Sequence, residues 1–182
     1  MTILATDRIE LRKFTQEHLD STEYFSWLCD LENVTSIYRM EYLLNISRDE
    51  VSAYVNNLWK SGTDCFFAIH ERMTGLFIGT QRIGHINWRT GAADIGLMID
   101  KAYWGNGYGT EAVSLACRYA FGPLSLRRLS GGTASDNIGM IRCFKKNNFH
   151  EEGRLREHLL INGKYEDHIL FGLLKSDIAE IS

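Results

Sequence analysis

Three glycines in five residues, Gly105, Gly107 and Gly109, separate an apolar segment from an amphipathic one. Glycine has no Cβ, so several backbone N–H groups can point at one spot in such a loop. A helix that begins there adds free N–H donors and the positive end of its dipole. The spacing therefore predicts a phosphate or pyrophosphate site. The alternative is a tight strand-to-helix turn that needs glycine for steric reasons alone.

The residues after the glycines narrow the class of phosphate. No Gly-Lys-Ser or Gly-Lys-Thr sequence follows them, which excludes a Walker loop. Thr110 stands where a dinucleotide-binding fingerprint has its third glycine, and the pattern contains no second βαβ half. The pyrophosphate of a pantetheine-containing cofactor is the class that remains.

Two side chains upstream of this loop can move protons. Asp94 lies at the start of the apolar segment that precedes the loop, and His85 lies in the segment before that one. A carboxylate or an imidazole can take a proton from an attacking nucleophile, directly or through water. Both residues also have ordinary interpretations. Asp94 can hydrogen-bond the local backbone at the start of a strand, and His85 can be an ordinary residue of a sheet.

The elements that must position these residues form a mixed pattern. Alternating or short apolar runs predict strands over 8–14, 65–70, 77–86, 93–99, 128–134, 150–161 and 164–174. Helices are predicted after Thr15, over 47–60, from Thr110 to Phe121 and over 138–147. The stretch 32–44 has no assigned element. The order predicts one α/β (α+β) domain over residues 1–182, whose mostly antiparallel sheet has about seven strands and about four flanking helices.

Charge and composition exclude several classes of partner. The 182 residues carry a formal net charge of −3, so no basic excess suits nucleic acid. No apolar run approaches the ~18 residues that a membrane span needs. The four cysteines form no C-x-x-C pair, which favours reduced thiols over a zinc site. The first residues lack a secretory signal pattern. We therefore expect a cytoplasmic protein without a metal, nucleic-acid or membrane partner.

The segment Trp104-Gly105-Asn106-Gly107-Tyr108-Gly109 resembles the loop of the GNAT acetyltransferases, Gln/Arg-x-x-Gly-x-Gly/Ala, which holds the pyrophosphate of acetyl-CoA. Trp104 in the first position is similar to the Rim-type branch, the ribosomal-protein N-terminal acetyltransferases. Asn148 departs from that branch, which has glycine there. The other segments that are similar to it, in the same order, are 6–12, 93–96, Asn137 with Phe149, 152–156, and Asn162-Gly163 with Asp167.

The resemblance implies acetyl-CoA as co-substrate and assigns residues to it. Pantetheine is expected to pair with 97–99 as an added strand, with a backbone N–H near Leu97 or Met98 as the oxyanion donor. Asn137 is expected to contact pantetheine. Asp94 stands where the branch has Glu and is the first candidate for the base, with His85 as the second. The expected cofactor-binding residues are Leu97, Met98, Ile99, Trp104, Gly105, Asn106, Gly107, Tyr108, Gly109, Thr110, Asn137 and Phe144.

The acid that would protonate the leaving thiolate is missing from the pattern. Many GNAT enzymes have Tyr seven residues after the Asn, where this chain has Phe144. Some Rim-type enzymes have Ser three residues after it, where this chain has Met140. Neither side chain can donate a proton, so Phe144 is expected only to pack beside the cofactor. Either another residue serves, or the thiolate leaves unassisted, which a thiol pKa of about 8.5 permits.

The resemblance implies an acetyl-CoA-dependent N-acetyltransferase that acts on a primary amine in a ternary complex. The branch name implies a protein N-terminal α-amine as the acceptor. The alternative within the class is a small-molecule amine, such as an amino sugar, a polyamine, an amino acid or an antibiotic. A non-catalytic acyl-CoA sensor and a nucleotide-binding fold are the alternatives from other classes. The expected assembly is a monomer or a homodimer.

Overall fold

An eight-stranded sheet forms the frame of the protein, seen in a computed structural model that describes residues 1–37 and 46–179. Its strands are β1 (Thr2–Ala5), β2 (Ile9–Lys13), β3 (Cys65–Glu71), β4 (Phe77–Asn87), β5 (Ala92–Ile99), β6 (Arg128–Ala134), β7 (His150–Ile161) and β8 (Lys164–Leu174). Their spatial order is β1-β2-β3-β4-β5-β6-β8-β7. Every pairing is antiparallel except that of β5 with β6. The expected fold is confirmed, with β1 as an additional strand too short to show alternation.

The helices of the described part are α1 (Gln16–Asp20), α2 (Thr22–Leu28), α3 (Leu31–Ser36), α4 (Arg48–Lys60), α5 (Tyr108–Phe121), α6 (Ile138–Lys146) and α7 (Lys175–Ala179). A 3₁₀ turn, Lys101–Tyr103, follows β5. The segment after Thr15 forms two helices instead of one, because Ser21 accepts a hydrogen bond from Tyr24 N and caps α2. Within the unassigned stretch 32–44, α3 covers the start, and residues 38–44 lie outside the described residues.

The two faces of the sheet bury different clusters of apolar side chains. Ile95 and Ile99 of β5 belong to the cluster that contains the buried residues of α5. Met98 belongs to a second cluster, with Val55 of α4. This alternation follows from the two-residue period of a strand. It assigns each residue of β5 to an α5 face or an α4 face of the sheet.

Two histidines join α1 to the sheet on the α4 face. His18 Nε2 lies 2.9 Å from His70 Nε2, and His70 Nδ1 lies 2.9 Å from the carbonyl oxygen of Gly75. The carbonyl only accepts, so His70 carries its proton on Nδ1 and accepts from His18 at Nε2. His18 Nδ1 in turn accepts from the backbone N–H of Thr15. The chain of hydrogen bonds is complete only while both rings are neutral.

Burial and the neighbouring His70 lower the pKa of His18 to about 4, and burial lowers the pKa of His70. Because both pKa values are depressed in the folded state, the neutral pair stabilises the fold fully above the unfolded pKa of about 6.5. This stabilisation declines as the pH falls toward the folded pKa values. We expect the free energy of unfolding to fall by about 1–2 kcal/mol between pH 7 and pH 5. This value includes a reduction for solvent screening at the partly exposed His18 ring. Urea unfolding at the two pH values measures this loss.

His18→Gln should lose less stability than the wild type over the same pH interval, because one of the two coupled rings is gone. His150→Gln is the control, since His150 is exposed on β7. This variant should lose as much stability between pH 7 and pH 5 as the wild type. An equal loss in His18→Gln and in the wild type would contradict the neutral pair.

Candidate active site

The sheet opens between its two parallel strands. β5 and β6 are paired over three positions, and the last of these is Asp94 opposite Ser130. Beyond that position β5 continues against β4, and β6 continues against β8. The strands therefore diverge. The gap between residues 95–99 and residues 131–134, which we call the fork, has Asp94 at its apex.

One edge of β5 presents backbone groups to the fork. Asp100 N–H donates to Ile78 O at 2.9 Å, and the register continues with Met98 opposite Thr80. Alternate residues of an antiparallel strand hydrogen-bond to the same neighbouring strand. Met98 therefore bonds to β4, whereas the N–H and C=O of Leu97 point into the fork.

Trp104 occupies the far end of this edge. Ile99 has the same orientation as Leu97, and its carbonyl accepts a hydrogen bond of 2.7 Å from Trp104 Nε1. The indole thereby satisfies the last carbonyl of β5. Along residues 97–99, the groups directed into the fork are both backbone groups of Leu97 and the N–H of Ile99, and no strand of the described residues pairs with them.

The glycine loop lies beside the fork. Gly105 and Gly107 have φ angles of 77° and 84°, in the left-handed region that glycine adopts without strain. Gly107 is the N-cap of α5, so the N–H groups of residues 108–110 have no acceptor within the helix. A Cβ on Gly109 would lie 3.3 Å from Leu97 Cδ2. This close approach brings the first turn of α5 against β5.

Tyr108, although part of the loop, is held on its outer side. Its hydroxyl donates to Glu71 Oε1 at 2.7 Å, and this hydrogen bond raises the pKa of Tyr108. The guanidinium of Arg8 lies 4.9 Å from the centre of the Tyr108 ring. Neither contact is visible in the sequence, because both join segments that are far apart along the chain.

Asp94 and His85 meet at the apex of the fork. Asp94 Oδ2 lies 3.1 Å from His85 Nδ1, and both side chains are more than half exposed. His85 has a φ of 50° where the register between β4 and β5 shifts. Such a bulge re-aims a side chain. The structure thus brings together the two residues that the sequence suggests for proton transfer.

Arg82 fixes the other side of the His85 ring. Its Nη2 lies 3.4 Å from His85 Nε2. Because a guanidinium only donates, Nε2 carries the lone pair and Nδ1–H donates to Asp94. Arg82 itself donates to Asp64 Oδ1 from Nε at 2.8 Å and from Nη2 at 2.5 Å. Asp64 therefore offsets the charge of Arg82, while Asp94 has no Lys or Arg partner among the described residues.

The two faces of the fork are filled differently. On the α5 face a Cβ on Gly131 would lie 2.5 Å from the ring of Phe144. That ring is buried and packs on Phe149 and Phe171. On the α4 face, which also carries Asp94, a Cβ on Gly96 would meet nothing within 4 Å. On the same face a Cβ on Gly132 of β6 would collide with the ring of His168. The α4 face is therefore open along β5, beside Asp94, and filled along β6, and Phe144 is a core residue.

Asn137 caps α6 and connects it to α3. Its Oδ1 accepts from Met140 N at 3.0 Å, and its Nδ2 donates to Ser36 O at 3.0 Å. Both ends of the amide are thus occupied by protein groups. The second N–H and the second lone pair of the amide could still bind pantetheine, and that contact stays a prediction.

Residues 1–37 and 46–179 contain no group of three or more His, Cys, Asp or Glu side chains arranged to hold a metal ion. Among the same residues, no helix combines the length and apolar character that a membrane crossing needs.

Three comparisons connect this geometry to known proteins. The sequence profile of the Acetyltransferase (GNAT) domain matches residues 8–150. The Probable N-acetyltransferase YjcK of Bacillus subtilis (strain 168) is 35% identical over 137 residues, which cover 75% of each chain. The spermidine N(1)-acetyltransferase of Vibrio cholerae is 26% identical over 121 residues, which cover 66% of this chain and 69% of that one.

A solved structure has the same fold. It is the crystal structure of spermidine N-acetyltransferase from Vibrio cholerae in complex with CoA and spermine. The TM-score is 0.85, with 20% sequence identity, over 96% of this chain and 99% of that one. At this identity the likeness concerns the fold alone.

Two glycines of the fork, Gly131 and Gly96, differ in the space around them, and their substitution by alanine should affect stability differently. We expect Gly131→Ala to lower the free energy of unfolding by about 1–3 kcal/mol, because the buried ring of Phe144 cannot move away from the new methyl group. Gly96→Ala is the matched control, a strand glycine with open space above it, and should stay within about 0.5 kcal/mol of the wild type. Urea unfolding measures both variants. Equal losses would contradict the difference in packing between Gly131 and Gly96.

Proposed function

We propose that this chain, an N-acetyltransferase that belongs to the GNAT family, transfers the acetyl group of acetyl-CoA to a small-molecule primary amine. The fork carries the proposal, because it combines three features. The backbone groups of Leu97 have no strand partner among the described residues, α5 begins at a glycine beside them, and Asp94 lies at the apex. A polyamine is the first acceptor to test. The alternatives of a non-catalytic sensor and a nucleotide-binding fold are set aside by the family membership.

Acetyl-CoA is the co-substrate of the family, and it supplies an activated acetyl thioester. The fork suits pantetheine, because an extended amide chain can pair with the free groups of Leu97 and Ile99 as an added strand. The loop suits pyrophosphate, because the N–H groups of residues 105–110 cluster at the positive end of α5. We assign the oxyanion donor to Leu97 N–H, since the N–H of Met98 is directed to β4.

Asp94 is the proposed base that takes the proton of the attacking amine, directly or through one water. Its Oδ2 accepts from His85 Nδ1, and the other nitrogen of that ring faces Arg82. His85 therefore orients the carboxylate and has no lone pair left for a substrate. In this arrangement His85, the second candidate base of the sequence, becomes a positioning residue.

Phe144 offers no proton for the leaving thiolate, and its packing in the core assigns it the support of β6. The Tyr108 hydroxyl donates its hydrogen bond to Glu71 on the outer side of the loop. We propose that the thiolate leaves unassisted, which its ordinary pKa of about 8.5 permits at neutral pH.

Charge and the relatives support a small-molecule amine as the acceptor. Asp94 forms no ion pair with Lys or Arg among the described residues, although Arg128 interacts with it at longer range. Its carboxylate lies on the face that is open along β5, and its field attracts a cationic amine. The relative that is named for spermidine supports a polyamine among such amines. A protein N-terminal α-amine is the second candidate, and the Rim-type motif that includes Trp104 and Gly105 favours it.

Thiol release from acetyl-CoA with a panel of amines tests the proposal. The panel contains spermidine, spermine, glucosamine, lysine and a tripeptide with a free α-amine. We expect kcat/KM for a polyamine to exceed that for the tripeptide by at least about tenfold. A preference for the tripeptide would assign the enzyme to the Rim-type reaction, and no release with any amine would overturn the proposal.

Asp94→Asn should lower kcat by about 10²–10⁴-fold and leave the KM for acetyl-CoA within about twofold, because the amide keeps the shape and cannot take a proton. The deficit should shrink as the pH approaches the amine pKa of about 10, where the acceptor deprotonates by itself. Steady-state kinetics with the best acceptor of the panel, from pH 7 to pH 10, measure both effects.

His85→Gln is the matched comparison for Asp94→Asn. Glutamine keeps an N–H that can donate to Asp94, so the loss in kcat should stay below about tenfold. A larger loss in His85→Gln than in Asp94→Asn would make His85 the base and contradict the assignment.

A further inference from the structure

We propose that Arg8 is a positioning residue for the cofactor loop, which it holds from outside so that the N–H of Gly107 faces the pyrophosphate site. The proposal rests on the proposed function, since it concerns how the same loop binds acetyl-CoA. Arg8 lies in the turn between β1 and β2, about a hundred residues before the loop it contacts.

Arg8 binds three successive parts of the loop and of α5. Its Nη1 donates to Asn106 O at 2.9 Å, and its Nε donates to Glu111 Oε1 at 2.6 Å. The guanidinium also covers the ring of Tyr108, and Nη2 forms an ion pair with Glu111. Glu111 is fixed in turn by Thr6, whose hydroxyl donates to Oε2 at 2.5 Å. Thr6 and Arg8 of the β1–β2 turn thus fix the loop and the first turn of α5 together.

The bond to Asn106 decides which way the next peptide points. In a planar trans peptide the C=O of one residue and the N–H of the next point in opposite directions. Because Arg8 keeps the Asn106 carbonyl on the outer side, the Gly107 N–H is directed to the opposite side, where the free N–H groups of residues 108–110 begin. A flipped peptide would present a carbonyl oxygen to the phosphate and repel it.

The positive charge of Arg8 alone does not account for its proposed role in cofactor binding. Glu111 neutralises the guanidinium, so the pair attracts an anion only weakly from a distance. A Cβ on Gly107 would lie 3.2 Å from Arg8 Nη2, so the side chain packs directly against the loop backbone. Arg8 therefore acts through the geometry of the loop.

Arg8→Gln tests the proposal with two acetyl donors. With acetyl-CoA we expect the KM to rise about tenfold and kcat to change less than about twofold. With S-acetylpantetheine, which lacks the pyrophosphate and the adenosine, kcat/KM should equal that of the wild type within about twofold. Arg72→Gln is the matched control, because Arg72 donates to Thr6 O at 2.8 Å in the same turn without touching the loop. It should behave as the wild type with both donors.

An unchanged KM for acetyl-CoA in Arg8→Gln would overturn the proposal. Equal losses with both donors, or a loss in kcat alone, would also overturn it, because they would indicate a general structural role. If S-acetylpantetheine is too poor a donor to measure, the separation of KM from kcat with acetyl-CoA decides. A wild type that uses no acetyl donor would instead refute the proposed function, so the two failures are distinguishable.

Discussion

The divergence of β5 from β6 is the constraint on which the site depends. A backbone N–H or C=O in a sheet needs a partner, and loss of a hydrogen bond in a partly buried place is unfavourable. Beyond Asp94, β5 keeps its partners on β4, and no strand of the described residues pairs with its other edge. Trp104 satisfies the carbonyl of Ile99. The groups of Leu97 are left for a chain that binds in the extended conformation.

Several side chains hold the strands in this arrangement. Gln81 is fully buried and donates to Gly96 O at 2.9 Å, so it braces β5 from the side of β4. Phe144 packs against Gly131 and supports β6 on the α5 face. Gly109 lets α5 approach Leu97. The fork is therefore packed on its α5 face, and its α4 face is open along β5, beside Asp94, where an acceptor can approach.

The sequence predicts the parts of this site that depend on local geometry. The left-handed φ angles at Gly105 and Gly107 and the helix start follow from residue type and spacing. The contact between His85 and Asp94 could not be predicted, because it depends on a shift of register between β4 and β5. The contacts of Arg8 with Asn106 and Glu111 could not be predicted from local sequence either, because they join residues about a hundred positions apart. Phe144 is singled out because many members of the family have Tyr at this spacing, and the structure places its ring in the core.

Amide hydrogen exchange at Met98 and Ile99, measured residue by residue with and without CoA, tests the central claim most directly. The N–H groups of these neighbours have opposite orientations, so Met98 is the internal control for Ile99. We predict that CoA slows exchange at Ile99 by at least about tenfold, because pantetheine accepts from its N–H, while Met98, already bonded to β4, changes little. Protection of the loop residues 105–110 without any change at Ile99 would contradict the pairing of pantetheine with the fork.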